Sequence, residues 1–196
     1  MSEDTKAVFG EVRFSYEHVW EPASMDNDPN AKKKYSVSVI IPKSDKKSVE
    51  ICKRAIKAAM QKGLESKFGG KDVSHRPNFK NPLRDGDTER DGDPAYANSY
   101  FINASDNRQP GIVDNNRQPI TDRNEFYSGC YGYVSINFYP FNSNGNMGIA
   151  AGLSNVMKTR DGEAFDGRTT PDDDFADVDI PETPTGAVSG DDSDWL

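Results

Sequence analysis

The chain has 196 residues, of which 24 are Lys or Arg and 32 are Asp or Glu, giving a formal net charge of −8. No apolar run approaches the roughly 18–20 residues that span a bilayer, and the N-terminal residues lack the charged and apolar regions of a signal peptide. The sequence therefore excludes a membrane-spanning helix and predicts an intracellular protein, in which Cys52 and Cys130 are free, reduced thiols.

The negative charge is concentrated at one end of the chain. Residues 161–196 contain 12 acidic residues and one basic residue, whereas residues 1–160 carry a net charge of +3. The acidic segment cannot bury enough apolar area to offset the entropy of ordering it, so we predict one domain over 1–160 and a disordered tail over 161–196. Because the acidity lies in the tail, the body is free to bind an anion.

Two antiparallel strands are predicted at the start of the domain. Residues 7–20 alternate between apolar and polar side chains, which places Val12, Phe14 and Tyr16 together on one face of a half-buried strand. Residues 34–42 resume the alternation after a turn-forming segment and end at a proline.

A helix and a long loop follow these strands. From Asp45 to about Phe68 the apolar residues recur at helical spacing, and Ser44 is placed to accept a hydrogen bond from the first turn. Two consecutive glycines end this helix. Residues 71–95 are dense in Pro, Gly and Asp and predict a long irregular loop, which in a compact domain tends to be functional.

Strand character returns four times in the second half of the chain. Several strands with one helix after the second strand, and without βαβ alternation, favour a small closed or partly closed barrel. We therefore predict a mainly β fold, an oligonucleotide-binding (OB) fold-like five-stranded barrel, with a sandwich as the alternative. The four stretches are NSYFINA at 98–104, Ile112-Val113, CYGYVSINFYPF at 130–141 and NMGIAAGLSNVMK at 146–158.

The stretch at 130–141 has two different faces. Its alternation places Val134, Ile136 and Phe138 in the core and leaves a second face that combines aromatic with polar residues. Exposed rings suit unpaired bases, because each offers a stacking surface worth about 1–3 kcal/mol per base. The alternative is that the rings cover a second apolar layer or pack under the long loop. The predicted stacking residues are Tyr131, Tyr133, Tyr139 and Phe141.

The neighbouring strand and loops supply the other parts of this candidate site. Residues 148–154 alternate Ile, Ala and Leu with Gly, Ala and Ser, so one face lacks bulk; this leaves room for a flat ligand or instead marks barrel coiling. Cationic residues near strand ends are predicted to contact phosphates, although each is also typical of a solvated surface. They are Lys32, Lys33, Lys34, Arg108, Arg117 and Arg123.

The acidic tail suggests a regulatory role. A flexible polyanion tethered near a basic groove competes with nucleic acid for the same cations, and its displacement frees it to bind other proteins. The alternative, that the tail only confers solubility, explains the Asp residues but leaves the terminal Trp without a purpose. The predicted partner-binding residues are Asp191, Asp192, Asp194, Trp195 and Leu196.

Catalysis is the weaker interpretation of the sequence. Only His18 and His75 are present as imidazoles, neither lies near a candidate nucleophile in the sequence, and the phosphate-loop and EF-hand patterns are incomplete. One alternative function is a non-catalytic β-barrel module whose tail binds proteins. A second is a metal-dependent nuclease, since carboxylates of the long loop would in principle hold two metal ions. These carboxylates belong to Asp85, Asp87, Asp91 and Asp93.

Four extended motifs resemble a known family: PLRDGD at 82–87, SYFINASDNRQPGIVD at 99–114, YSGCYGYVSINFYPF at 127–141 and NMGIAAGLSNVMKTRDGEAFDGR at 146–168. They are similar to bacteriophage single-stranded DNA-binding proteins once catalogued as a domain of unknown function. The resemblance covers residues 7–175 and implies an OB fold that coats unwound DNA during phage replication or recombination, with an acidic tail that contacts replication proteins. Related phage proteins end in an aromatic residue, whereas this chain has Leu196 after Trp195.

Together these features predict a sequence-tolerant single-stranded DNA-binding protein rather than an enzyme. No cofactor and no metal are expected in it. If the chain is encoded by a phage, its location is the cytoplasm of the bacterial host, and a homodimer is compatible with these features.

Overall fold

The computed structural model describes residues 4–24, 28–167 and 174–179. No helix among them is long and apolar enough to cross a membrane. Every predicted strand and the predicted helix are confirmed. In chain order the elements are β1 (Lys6–Ala23), β2 (Lys34–Pro42), α1 (Lys46–Ser66), β3 (Arg84–Asp85), α2 (Gly86–Glu89), β4 (Ser99–Asp106), β5 (Gly111–Val113), β6 (Tyr131–Ser143) and β7 (Asn146–Arg160).

Five of the strands close into a barrel. β1 pairs with β2 and with β6, β2 pairs with β4, and β6 pairs with β7, always antiparallel. A parallel bridge between Ser105 on β4 and Gly152 on β7 completes the ring. The short strands β3 and β5 pair with β4 and β7 respectively. The OB-fold-like five-stranded barrel is therefore confirmed, and the sandwich alternative is wrong.

The interior of the barrel is filled by every second side chain along each strand. On β6 the buried residues are Val134, Ile136 and Phe138, as the alternation predicts. Because successive side chains point to opposite faces, burying this set directs the tyrosines of β6 away from the core. Other strands contribute in the same way, with buried Val37, Val39, Ile41, Ile102, Ala104, Ile149, Ala151 and Leu153.

Helix α1 packs its small residues against β1 and β6. Its N-cap is Asp45, whose carboxylate accepts a hydrogen bond from the Ser48 backbone N–H at 3.0 Å. The prediction of Ser44 as the cap is therefore wrong by one residue. The buried face includes Cys52, and Cys130 is buried elsewhere; both are free thiols, as predicted. Burial raises the pKa of Cys52 to about 12 and that of Cys130 to about 11.

Strand β1 changes its side-chain alternation at Tyr16. Its register against β2 shifts between Ser15 and His18, and Tyr16 has a positive φ of 45°. As a result Ser15 is buried, whereas the Tyr16 side chain is 56 % exposed. The prediction that Tyr16 shares a face with Phe14 is wrong, because an irregularity in strand pairing re-aims the side chains beyond it.

The segment predicted as an irregular loop contains two short ordered elements, β3 and α2. Lys43 Nζ, just beyond β2, donates to Asp85 at 2.8 Å and to Asp87 at 2.7 Å. These hydrogen bonds hold the pKa of both carboxyl groups below the usual range. Two carboxylates of the nuclease alternative thus anchor the loop to β2. Of the other two, Asp93 accepts a hydrogen bond from a backbone N–H, and Asp91 is exposed.

Candidate nucleic-acid interface

The outer face of β6 carries two open tyrosine rings. Tyr133 and Tyr139 are 41 % and 42 % exposed, and Asn137 lies exposed on the same face between them. Tyr131 and Phe141, nearer the ends of β6, are half-buried. Of the four predicted stacking residues, two therefore present a ring to solvent.

The ring of Tyr131 is already in contact with cations. The guanidinium carbon of Arg160 lies 3.6 Å from the ring centroid, and that of Arg13 lies 5.2 Å away. Arg160 is held in place by Glu11, whose carboxylate accepts a hydrogen bond from Nε at 2.6 Å. A guanidinium over an aromatic face is a favourable arrangement, so Tyr131 is less accessible to a base than Tyr133 or Tyr139.

Tyr139 lies over the bare face of β7. Its partner in the strand register is Ala150, and Gly152 is opposite Asn137. A Cβ atom added at Gly152 would lie 3.6 Å from Cε1 of Tyr139 and 3.2 Å from the carbonyl oxygen of Asn137. The prediction that β7 presents a face without bulk beside the aromatic strand is confirmed, and this face supports the Tyr139 ring from below.

A row of small and polar residues crosses the barrel beside these rings. His18 on β1 is opposite Ser36 on β2, and Ser36 is opposite Ser105 on β4. Ser105 then bridges to Gly152 on β7, which is opposite Asn137 on β6. We call these five residues the polar row. Because neighbouring strands lie about 4.8 Å apart, the four steps of the row cover about 19 Å along the curved wall of the barrel.

A third exposed tyrosine stands at the β1 end of the polar row. Tyr16 lies two residues before His18 and lines a pocket of about 240 Å³ together with Ser38, Arg90 and Asn103. The guanidinium carbon of Arg90 lies 5.3 Å from the centroid of the Tyr16 ring. An open ring with a cation beside it is suited to a base and its phosphate. Tyr16 and Tyr139 thus stand near opposite ends of the row.

Sequence reasoning missed Tyr16 and Arg90 as site residues. Tyr16 was expected in the strand face that contains Phe14, and Arg90 comes from the segment expected to be an irregular loop. The signal that would have identified the arginine is its position next to the turn residues Asp91 and Gly92, but nothing local connects it with β1. Lys6, opposite Asn137 and exposed, is a further cation that periodicity did not single out.

Three of the predicted cations gather where β1 ends, β2 begins and β4 ends. Lys34 is opposite Ala23 in the register. Arg108 follows β4, and its side chain is 92 % exposed with Nε 3.8 Å from Asp106. Arg123 donates from Nη1 to Glu21 at 2.8 Å. This end of the barrel adjoins the polar row, because Ser36 and Ser105 lie within three residues of Lys34 and Arg108 respectively.

The remaining predicted cations lie in exposed turns. Lys32 and Lys33 precede β2, and Arg117 lies in the turn that follows β5, with a positive φ of 62°. In the register β5 is beside β7, where Val113 is opposite Met157. The bridge between Val113 and Pro119 closes this turn. Arg117 is therefore at the β5–β7 edge, apart from the cations that surround the start of β2.

Comparison with known proteins identifies the family. A family profile described as the Enterobacter phage Enc34 ssDNA-binding protein matches residues 5–184. The chain belongs to this family. Protein p50 of Acyrthosiphon pisum secondary endosymbiont phage 1 is 34 % identical to it over 170 residues, which cover 83 % of this chain and 87 % of p50. The resemblance inferred from the four motifs is confirmed.

Solved structures of phage proteins share the fold of this Enc34-family chain. The single-stranded DNA-binding protein from bacteriophage Enc34 in complex with ssDNA has a TM-score of 0.70 and 23 % identity, covering 82 % of this chain and 89 % of that one. The single-stranded DNA-binding protein gp2.5 of bacteriophage T7 has a TM-score of 0.52 and 16 % identity, covering 83 % and 97 %. At these identities the similarity establishes the fold.

In this Enc34-family protein the segment after β7 remains attached to the body. Arg13 Nη2 donates to the backbone oxygen of Glu163 at 2.8 Å, and its guanidinium carbon lies 4.1 Å from the Phe165 ring centroid. The Tyr127 hydroxyl donates to Asp161 at 2.9 Å. Contacts with the domain therefore extend beyond residue 160 to Phe165. The predicted partner-binding residues Asp191, Asp192, Asp194, Trp195 and Leu196 lie outside the described residues.

Glu17 gives the Enc34-family domain an expected pH dependence. Desolvation raises the pKa of Glu17 to about 7, above its ordinary value of 4.5. A long hydrogen bond from the Val19 N–H, at 3.4 Å, lowers the pKa but does not offset the desolvation. The folded state therefore binds more protons than the unfolded state between these two values. Stability from this group is lost as the pH rises through that window, and the loss is complete above pH 7.

We expect Glu17→Gln to raise the free energy of unfolding by about 1–2 kcal/mol at pH 8, a value reduced for solvent screening of a partly exposed group. Below about pH 4 the substitution is expected to have little effect, because the carboxyl group is then protonated in both states. Urea unfolding at pH 4, 6 and 8 measures this difference. Glu50→Gln, on the exposed face of α1, is the matched control. An equal gain at pH 4 and pH 8 would contradict the assignment.

Proposed function

We propose that this protein binds single-stranded DNA without sequence preference. The observation that carries the proposal is the pair of exposed rings, Tyr16 and Tyr139, near the two ends of the polar row. Stacking on aromatic rings tolerates any base, and the small residues Ser36, Ser105 and Gly152 place no bulky side chain between the rings. Membership of the Enc34 family, one protein of which has been solved with ssDNA, supports this ligand class.

The proposed path crosses the strands rather than following one of them. Tyr133 and Tyr139 stack bases on β6, and Tyr16 with Arg90 holds a base at the β1 end. This path uses the face of the second and third barrel strands, β2 and β4, which OB folds present to oligonucleotides. Tyr131 and Phe141, being half-buried, border the path at either end of β6.

Phosphate neutralisation is assigned to two groups of cations. Lys33, Lys34, Arg108 and Arg123 serve the end where β2 begins, and Arg117 serves the β5–β7 edge. Arg123 is engaged by Glu21 in the free protein, so binding a phosphate replaces an exposed ion pair that contributes little on its own. Phosphate contacts position the strand and carry no sequence information, in keeping with sequence-tolerant binding.

The acidic tail is proposed to regulate this binding and to recruit other proteins. Its carboxylates compete with phosphates for the same cations at high local concentration, so DNA binding releases the tail. Released tails are then available to proteins of phage replication or recombination in the host cytoplasm. The proposal assigns the protein no catalytic step and no cofactor.

The test is the affinity for fluorescent oligo-dT measured by anisotropy at two salt concentrations. If about four phosphates are neutralised, the affinity falls with a log–log slope of about −2.8, or roughly 50-fold between 50 and 200 mM salt. Deleting residues 171–196 is expected to tighten binding, and a full-length variant with the tail Asp residues changed to Asn is the matched control for length. An affinity that changes neither with salt concentration nor with truncation would refute the proposal. Tyrosine fluorescence that stays unchanged when oligo-dT is added would also refute it.

A further inference from the structure

A second groove lies on α1, outside the polar row. It has a volume of about 400 Å³ and is bounded by α1 and by residues 72–83 of the segment that follows. Its floor is aliphatic and is formed by Ile56, Met60 and Leu64 from α1 and by Leu83. All four side chains are half-buried. The α1 residues recur at helical spacing, so they form one continuous stripe.

The rim of this α1 groove is positively charged. Lys53 and Lys57 line it on the α1 side, and both are exposed. The whole helix contains six basic and two acidic residues, and no ion pair seen among the described residues uses any of these six cations. The lining contains one carboxylate, Asp72, which already accepts hydrogen bonds from the Ser74 N–H and hydroxyl.

The chemistry of the α1 groove fits an acidic peptide that carries bulky apolar side chains. No aromatic ring lines the groove, so it lacks the platforms on which bases stack. An aliphatic floor instead suits an indole or an isobutyl group, and two lysines at the rim suit carboxylates next to it. The chain contains such a peptide at residues 191–196, with the sequence DDSDWL.

We infer that the α1 groove binds residues 191–196 of its own chain, with Trp195 and Leu196 on the aliphatic floor and the Asp side chains beside Lys53 and Lys57. A flexible coil of 23 residues, the number between Gly167 and Asp191, would have a root-mean-square span of about 24–29 Å. This span exceeds the radius of gyration of about 15 Å expected for a body of this size. A tether of this length gives a high effective concentration, so a weak contact suffices.

This contact would separate two properties of the tail. The DDSDWL tip is held on α1, whereas the acidic residues before it remain free to approach the cations beside the polar row. A partner protein that recognises Trp195 and Leu196 must then compete with the α1 groove. The inference does not depend on DNA binding, because the groove and the polar row share no residue.

The experiment places a nitroxide spin label on the full-length chain at Ser193→Cys and measures paramagnetic broadening of backbone amides by NMR. Cys52 and Cys130 are buried with raised pKa values, so the label reacts at position 193. We expect broadening concentrated on residues 53–64 of α1. Lys53→Glu with Lys57→Glu is expected to abolish that broadening, whereas the matched charge reversal Lys46→Glu with Lys47→Glu, outside the groove, retains it.

Three results would overturn the inference. The first is broadening that is spread evenly or centred on Tyr139 and the polar row. The second is broadening of isotope-labelled, unspin-labelled chains mixed with spin-labelled ones, which would place the tip on a neighbouring molecule. The third is oligo-dT shifting the amides of residues 53–64 in a chain that lacks residues 171–196, which would make the groove a nucleic-acid surface. Loss of oligo-dT binding with intact broadening on α1 would refute the proposed function alone.

Discussion

Tyr139→Ala is expected to weaken binding of oligo-dT by about 1–3 kcal/mol, which corresponds to roughly 5- to 150-fold in Kd. The ring is 42 % exposed on the outer face of β6, and its Cε1 lies 3.6 Å from the position that a Cβ atom at Gly152 would take. A base stacked on this ring therefore loses its main apolar contact when the ring is removed. The stability of the barrel is expected to change little, because Tyr139 lies outside the core.

Fluorescence anisotropy with labelled oligo-dT at constant salt measures this loss, and urea unfolding verifies that the fold persists. Tyr139→Phe is the matched control, because it keeps the ring and removes only the hydroxyl group. Its affinity is expected to stay within a few-fold of the parent. If Tyr139→Ala and Tyr139→Phe bind equally well, the ring does not stack a base and the β6 end of the path is wrong.

Tyr16→Ala extends the same test to the other end of the polar row. Tyr16 and Tyr139 lie near opposite ends of the polar row, which runs from β1 through β2, β4 and β7 to β6, so their effects are expected to add when both are replaced. A single path that passes both rings requires each substitution to weaken binding. Loss of affinity from only one of them would confine the interface to that end of the row.

Phe126→Ala is expected to lower the free energy of unfolding by about 3–5 kcal/mol, the usual cost of removing a buried aromatic ring. Phe126 is fully buried, and its ring centroid lies 4.9 Å from that of Phe14 on β1. Its backbone oxygen also accepts a hydrogen bond from Trp20 Nε1 at 3.0 Å. Phe126 therefore packs the segment before β6 against β1. The same segment contains Arg123, one of the cations of the candidate interface.

Urea unfolding measures the effect, with Phe175→Ala as the matched control. Phe175 is 66 % exposed, so its replacement is expected to change stability by less than about 0.5 kcal/mol. DNA affinity of the folded fraction is expected to fall less than in Tyr139→Ala, because Phe126 contacts no ligand. Equal destabilisation by the two Phe substitutions would show that the segment before β6 is not held by this ring pair.

Local periodicity predicted the parts of the site that lie within regular strands. Val134, Ile136 and Phe138 point into the core, and side chains alternate along a strand. Tyr133 and Tyr139 therefore point outwards and are exposed. The bare face of β7 follows from the same rule. The predicted N-cap of α1 was wrong by one residue, because Ser44 and Asp45 are both favourable N-cap residues and the sequence alone does not choose between them.

The sequence by itself therefore determined which strands and helix form, which faces of β6 and β7 point outwards, and where the acidity lies. Tertiary structure decided the rest. The polar row exists only because four different pairings align His18, Ser36, Ser105, Gly152 and Asn137, and the exposure of Tyr16 depends on the register shift between β1 and β2. Strand register is a long-range property set by closure of the whole barrel, so no local pattern contains it.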